Sequence, residues 1–523
     1  MYRLLYSAHE EQFRHCLQLF LSDSAWQREH ESIQGRAYGK ESSHPPANGV
    51  QCILPMSALG SICDFVLSSM LDRALEAHYR VPGSVIFGGR KGTQVADVAW
   101  ASQLVIEKGC DSRSKSCIGS ADIEKFYDSL PMLQIGLYLL KLGFSKALIA
   151  TCMFFQMFPC VNLSLLGHSV QVLSRSRGGL TGSRVAGCFG KVIGLDLGCS
   201  CAERWAPFSF NLGNRVLSAA IWIDNVFSFA PDPVSAVSIL DIAERHLNAR
   251  WGLKIKPSSR GLMACKGIDC SDVDPKWNPA DFLIVLGHRI LNDASIRREW
   301  NLVKNKLWAI FWANPGLSKM AGSTWDLKCS LLNRTVLAGV SWLFCRWPFQ
   351  KGVAAELDYL QSRMLGMLAR VPVLPSDDVV SFSKKRQHAG RKTASIVGLW
   401  SDCWRQRVLE WDRHVANSQQ YDHINSHLLS WHGVGWLQQM RSAWVSRSGQ
   451  GRNSLIAGRL GTRLFGGQPQ PRWAEGIALA NSREVIGNSN VFGSSSSSLN
   501  SRIREAQSFL NSFLYPGSPD NSG

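Results

Sequence analysis

The sequence is poor in charge and lacks the patterns that mark secreted, membrane-spanning or repeat proteins. Charged residues make up 19%, below the ~25% of an average soluble chain. Hydrophobic residues make up 45% of the 523, so the chain folds, and at ~150 residues per domain it has room for roughly three or four cores. Its 15 cysteines are scattered without a disulfide framework. No signal-peptide pattern opens the sequence, and buried free thiols in a reducing compartment are expected. Cys199 with Cys201, and Cys265 with Cys270, have no second pair of Cys or His at zinc-ligand spacing. His423 and His427 share a helical face, but no Glu follows the first His as in a zinc protease, so they read as surface histidines. The apolar stretch 147–172 is interrupted by Gln156, Pro159, Asn162 and His168, which makes it buried core instead of a membrane span. No internal repeat occurs.

Positive charge is what the sequence does carry. Lys and Arg number 57 against 40 Asp and Glu, a net +17, which points to a polyanionic partner. Residues 301–523 hold 26 basic and 13 acidic residues, so +13 of the excess lies in the back half. The runs Lys384-Lys385-Arg386 and Arg391-Lys392 are expected to be exposed. Trp342, Trp347, Trp400, Trp404 and Trp411 could stack on bases, but core packing is the default reading.

Along the chain, a polar segment closes at Pro45-Pro46 and an apolar run begins at Ile53. Residues 62–79 and 98–106 show helical spacing on either side of Phe87-Gly88-Gly89-Arg90-Lys91-Gly92. A short apolar strand spans 117–123, a long helical region follows, and then a glycine-rich turn spans 178–190. Residues 216–223 and 226–230 read as two strands joined by Asp224-Asn225, a connection suited to a tight hairpin. An amphipathic helix over 234–247 and short strands near 253–255 and 282–286 come next. Beyond Arg298 the pattern is mainly helical, and 494–498 and 516–523 are low in complexity. The class is α+β.

Two acidic sites at different strand ends carry the chemistry. In Ser120-Ala121-Asp122-Ile123-Glu124-Lys125-Phe126-Tyr127-Asp128 the strand delivers Asp122, and in Ile221-Trp222-Ile223-Asp224-Asn225-Val226-Phe227 a hairpin tip presents Asp224. Nucleotidyl transfer needs carboxylates gathered in this way, because two Mg²⁺ ions ~4 Å apart must bind the attacking hydroxyl, the α-phosphate and the leaving pyrophosphate. Each signal alone also suits a turn or a cap.

The order of segments resembles the reverse transcriptases, especially those of non-LTR retrotransposons. Residues 87–97 are similar to the fingers signature, 122–128 to motif A, and Arg177-Gly178-Gly179-Leu180-Thr181-Gly182-Ser183 to motif B. Trp222-Ile223-Asp224-Asn225 stands in the place of the aromatic-x-Asp-Asp motif C, 251–258 resembles motif D, and 282–287 resembles motif E. The resemblance implies a right-hand polymerase with an N-terminal segment over 1–50, fingers and palm over 51–290, a helical thumb-like region over 291–373 and a basic C-terminal extension over 374–523. It implies RNA-templated DNA synthesis with an RNA template, a DNA primer, deoxynucleoside triphosphates and two Mg²⁺ ions, with Mn²⁺ as a substitute. A membrane has no part in it, and an intracellular, nuclear location goes with an active retroelement polymerase. Fifty residues before the fingers are too few for an endonuclease domain.

Position by position, the resemblance makes Asp122, Asp224 and Asn225 the catalytic set, with Asp122, Asp224 and the carbonyl of Ile123 as metal ligands. Tyr127 matches the steric gate against a ribose 2′-hydroxyl. Arg90 and Lys91 would meet the triphosphate, and Gly178, Gly179 and Gly182 would let backbone approach the nascent base pair. Three positions depart from the pattern: Asn225 for the second acid, Thr181 for a Gln, and Ser259 for a Lys that protonates pyrophosphate, a role left to Lys256 or Arg260. These departures support the competing expectation, a catalytically inactive, decayed relative that still binds nucleic acid.

Overall fold

The computed structural model describes residues 32–39, 50–54, 56, 58–79, 84–111, 115–157, 159–165, 168–172, 177–211, 216–314, 322–347 and 349–417. The histidines at 423 and 427 and the low-complexity tail lie outside them. The chain divides into two compact units, one of residues 1–98 with 115–283 and one of 99–114 with 284–523.

In chain order the first unit carries β1 (Ser32–Gly39), β2 (Val50–Ile53), α1 (Ala58–Glu76), β3 (Val85–Phe87), the start of α2 (Val95–Asp111), β4 (Cys117–Asp122), α3 (Phe126–Ser129), α4 (Met132–Lys141), α5 (Lys146–Met157), β5 (Cys160–Leu165) and β6 (His168–Val172). It continues with α6 (Arg184–Trp205), β7 (Phe210–Asn211), β8 (Val216–Leu217), β9 (Ala219–Trp222), β10 (Asn225–Ala230), α7 (Pro233–His246), β11 (Gly261–Ala264), β12 (Asn278–Pro279) and the start of β13 (Phe282–Val285). The stretch 147–172 is therefore a helix and a hairpin. One sheet has the order β2-β1-β5-β6, and the sheet that positions the site has the order β12-β11-β4-β10-β9-β3.

The six-stranded sheet is built around the antiparallel pair β4–β10, whose register sets Asp122 opposite Asn225, Ala121 opposite Val226 and Gly119 opposite Ser228. The period of two then sorts the side chains. Ala121, Val226, Ala219 and Ile221 join the core shared with α6 and α7, while Asp122 and Asn225 belong to the other face. A Cβ at Gly119 would lie 2.6 Å from Leu240 of α7, so the strand and helix touch through the glycine. Asp232 caps α7 by accepting from Ser235 N at 2.8 Å, with Pro233 in the first turn.

Two sequence expectations are corrected. The glycine-rich stretch 178–190 is a turn only as far as Ser183, because Ser183 caps α6 and the helix continues through Gly187 and Gly190. Glycine costs a helix up to ~1 kcal/mol per residue, but Gly190, Gly194 and Gly198 recur every four residues on the face that meets the sheet. A Cβ there would stand 3.1 Å from Ile223, 3.1 Å from Ile221 and 2.4 Å from Phe87 respectively, so tertiary contact overrides propensity. The second correction concerns the hairpin. Trp222 pairs with Asn225, so the two turn residues are Ile223 and Asp224, and Asn225 is the first residue of β10. Arg184–Phe208 is long and apolar enough to cross a membrane, but 78% of its most apolar window is buried inside the protein, as befits a core helix.

The second unit carries β14 (His288–Leu291), α8 (Ile296–Ala313), α9 (Trp325–Leu331), α10 (Ala338–Ser341), α11 (Lys351–Leu368), α12 (Val379–Val397) and α13 (Trp400–Asn417). Trp300, Trp347, Trp400 and Trp404 are fully buried and Trp411 nearly so, which bears out core packing. Trp342 is 40% exposed. At the centre, the fully buried Arg346 donates to Glu299, to Gln103 Oε1 at 3.1 Å, to Arg289 O at 3.1 Å and to His288 Nδ1 at 3.3 Å. Burial, and then the charge of Arg346, lower the His288 pKa to about 3, which keeps the imidazole neutral as an acceptor. Gly390 of α12 lies so close to α11 that a Cβ would stand 2.0 Å from Ser362 O. On the outer side of α12, Lys384, Arg391 and Lys392 are exposed. Lys385 is paired with Asp377 at 2.5 Å, and Arg386 lies over the Phe382 ring at 5.6 Å.

Candidate active site

The site lies where β4 ends and the β9–β10 hairpin turns. Asp122 is the last residue of β4, and its cross-strand neighbour Asn225 is preceded directly by Asp224. Paired Cα atoms of an antiparallel ladder are ~5 Å apart, so the two carboxylates start from adjacent strand ends. Ile123 N donates to Asp224 O at 2.8 Å, fastening the turn to the chain leaving β4. Asn225 Nδ2 donates to Asp224 Oδ1 at 2.8 Å. Ile223 holds φ at +56°, where a β-branched side chain is strained by ~1–2 kcal/mol. Its side chain packs against Gly190 of α6, where the missing Cβ leaves room for it.

The segment similar to motif D runs along the other side of Asp122. Lys256 N donates to Asp122 O and Glu124 N to Lys254 O, each at 2.8 Å, around a bridge between Ile123 and Ile255. Ser259 Oγ accepts from Asp122 N at 2.9 Å and donates to Lys256 O at 2.7 Å. Ser259 is therefore a clip that holds the Asp122 backbone. Lys256 is exposed beside it. Arg260 points elsewhere: it donates to Glu244 of α7 at 2.6 Å and covers the Trp277 ring.

Tyr127 lies in α3, half-buried. Burial first, and then the negative charge of Asp224, raise its phenol above the ordinary value. Its own carbonyl accepts from Gly179 N at 2.8 Å, and Gly178 N donates to Leu130 O at 2.9 Å. A Cβ at Gly178, whose φ is +84°, would lie 2.9 Å from Asp128 O. Gly178 and Gly179 thus press the loop against α3, directly behind Tyr127. Gly182, with φ at +96° and no atom within 4 Å of an added Cβ, needs its glycine for conformation alone. Thr181 is half-buried in the loop.

Arg90 follows β3 in a turn whose Gly88 would place a Cβ 2.5 Å from the Trp222 ring. Its guanidinium donates twice to Glu76 Oε1, at 2.7 and 3.0 Å, and lies over the Tyr79 ring. Lys91 is exposed. Several residues around the site have no signal in the local sequence. Lys191 of α6 lies against Gly89 and binds Asp72 at 2.8 Å. Asp64 of α1, 2% exposed, accepts from Ser183 Oγ at 2.5 Å, Arg184 N at 2.7 Å and Val185 N at 3.0 Å. Gln156 bridges Ser183 Oγ and Leu180 N at 2.8 and 2.9 Å. Asp64 and Gln156 together anchor the loop to the start of α6. Among the described residues no three His, Cys, Asp or Glu side chains gather to hold a metal, and the site offers two carboxylates.

No protein-family model and no curated protein matches the chain. Solved structures do. Apo telomerase from Candida tropicalis truncated from its C-terminal domain aligns at 10% identity and a TM-score of 0.34, over 51% of this chain and 54% of that one. Telomerase from Candida albicans in complex with a TWJ fragment of telomeric RNA aligns at 11% identity and 0.35, over 77% and 67%. Apo telomerase from Candida tropicalis aligns at 9% and 0.36, over 93% and 68%. The chain is similar at low identity to structures of telomerase, a reverse transcriptase, and spans half to two thirds of their length. At TM-scores below 0.5 the likeness decides nothing about the site.

Proposed function

We propose that the chain is a reverse-transcriptase-like nucleotidyltransferase that copies RNA into DNA, of the non-LTR retroelement type. The observation that carries this reading is the register of β4 and β10, which sets Asp122 beside Asn225 with Asp224 in the adjoining strained turn. Carboxylates at rigid strand ends are hard oxygen donors and fit Mg²⁺ by chemistry. Asp122 and Asp224 would hold it, with the Ile123 carbonyl as a further oxygen. Once bound, such ions neutralise charge on the transferring phosphoryl group. Tyr127 would close the site to a ribose 2′-hydroxyl, and Lys256, exposed beside Asp122, is better placed than the paired Arg260 to protonate the leaving pyrophosphate. Arg90 and Lys91 would receive the triphosphate of a deoxynucleotide, Arg90 exchanging Glu76 for phosphate.

A second reading rests on Asn225. Its amide donates to Asp224 and brings no charge, so the chain would be an inactive relative that binds template and primer without extending it. Primer extension on an RNA template with Mg²⁺ separates the two. The expected result is incorporation by the wild type, none by Asp122→Ala or Asp224→Ala, and nucleic-acid binding nearly unchanged in both. Full activity in either variant overturns the site. An inactive wild type rescued by Asn225→Asp places the defect at the hairpin, and one that Asn225→Asp does not rescue supports the inactive reading.

A further inference from the structure

Among the described residues the helical unit buries most of its tryptophans and ties several of their indole N–H groups to acceptors: Trp300 donates to Glu356, Trp347 to Glu299, and Trp400 to Asn333. The outer side of α8 is different. Its buried stripe is Ile296, Glu299, Trp300, Leu307 and Phe311. Trp312 is 58% exposed, and its ring stacks on that of Trp308 at 6.2 Å with 16° between the planes. From α11, Tyr359 is 49% exposed, and the Arg363 guanidinium lies 5.3 Å from the Trp308 ring and 5.9 Å from the Tyr359 ring. Three aromatic rings and a planar cation thus form one row across two neighbouring helices.

Charge accompanies the row. The acid of α8 is Glu299, which is buried and bound to Arg346, so its solvent side carries Arg297, Arg298, Lys304 and Lys306 without an acid. Glu356 of α11 engages Arg297 and Lys304, Asp293 engages Arg298 at 2.7 Å, and Lys306 is exposed. Exposed ring faces flanked by cations suit a chain of unstacked bases on a phosphate backbone, since a base stacks on an aromatic face without regard to sequence while phosphates meet the cations. A duplex keeps its base faces covered.

We propose that the α8–α11 face is a stacking platform for single-stranded nucleic acid, with bases on Trp312 and Tyr359, Arg363 ordering the rings, and phosphates met by Lys306 and its neighbours. The assignment is independent of the carboxylate pair, because it concerns binding and not transfer. Fluorescence anisotropy of the full chain with a labelled oligo(dT) or oligo(rU), and with a duplex of equal length, tests it. Trp312→Ala and Tyr359→Ala should each weaken single-strand binding by about tenfold or more and change duplex binding little, while Trp312→Phe keeps most of the affinity. Lys306→Gln should lower the salt slope by ~0.7, the value for one single-strand phosphate contact. Photocrosslinking from 5-iodouridine should label the peptides bearing Trp312 or Tyr359. Both positions are exposed, and an unchanged thermal melt identifies variants that remain folded. Single-strand affinity unchanged in both alanine variants, an equal loss for duplex, or a change in self-association without a change in oligonucleotide binding each overturns the proposal.

Discussion

Asp64→Ala should loosen the start of α6 before it affects anything else. The Asp64 carboxylate is 2% exposed and receives the Ser183 hydroxyl and the N–H groups of Arg184 and Val185. The substitution strips two backbone donors and the cap residue of their acceptor at once. Hydrogen bonds to a charged group contribute ~1.5–3 kcal/mol each, and a carboxylate at a partly buried helix N-terminus adds up to ~2. Against this stands the desolvation of a buried charge, several kcal/mol, which the variant no longer bears. The balance is ~2–4 kcal/mol for Ala, and about half that for Asn, which keeps one acceptor oxygen. Local opening is the sensitive readout, because it does not require the two units to unfold as one. At ~1.4 kcal/mol per decade, amide exchange in the first turn of α6 should quicken roughly 30- to 1,000-fold, with α7 and the helical unit unaffected. Because the loop 178–183 hangs on this anchor, nucleotide incorporation should fall in step. Exchange in that turn within threefold of wild type would refute the capping account.

The remaining predictions concern the gate and the buried histidine. Tyr127→Val should admit ribonucleotides more readily while changing deoxynucleotide use less, measured as the ratio of the two incorporation efficiencies; an unchanged ratio would mean the half-buried ring serves packing alone. His288, with its pKa lowered to about 3 in the folded chain against ~6.5 in the unfolded one, stabilises fully above pH 6.5 and progressively less as pH falls towards 3. The unfolded state binds the extra proton in that window, so stability drops by at most ~1.4 kcal/mol per unit, on the order of 2 kcal/mol between pH 6.5 and 4.5. The difference in urea midpoint between those pH values should shrink in His288→Gln, whose amide oxygen can still accept from Arg346, and an equal drop in both proteins would remove His288 as the cause.

How far the sequence reveals this site depends on the distance between partners. The ends of β4 and β10 are local features, an apolar strand running into an acid and a tight hairpin, and each was legible by itself; that Asp122 and Asp224 meet was implied only by the resemblance to reverse transcriptases, and the register of the two strands brings them together. The flanking strands were not: β3 pairs in parallel with β9 from more than a hundred residues away, and three residues of strand carry little periodicity of their own. The roles of the cations were equally hidden. Arg90 and Arg260 look like available phosphate ligands in a linear reading, but Glu76 and Glu244, 14 and 16 residues upstream on preceding helices, hold them. Helical spacing relates residues three or four apart and gives no sign of such pairs. Asp64 is further removed still, about 120 residues from the helix it caps.

The same geometry changes the meaning of the departures from the polymerase pattern. A site decaying without constraint accumulates buried polar groups that lack partners, each costing ~1–3 kcal/mol. Ser259 instead accepts from the backbone of Asp122 and donates to that of Lys256, joining the two segments that flank the carboxylate. Asn225 bonds Asp224 directly, and an aspartate in its place would set a second negative charge against that oxygen until a cation neutralised both. Ser259 and Asn225 therefore stabilise the arrangement of Asp122 and Asp224 in the absence of metal. Their effect on transfer is a question of charge at the hairpin and not of whether the sheet delivers its acids to the same edge.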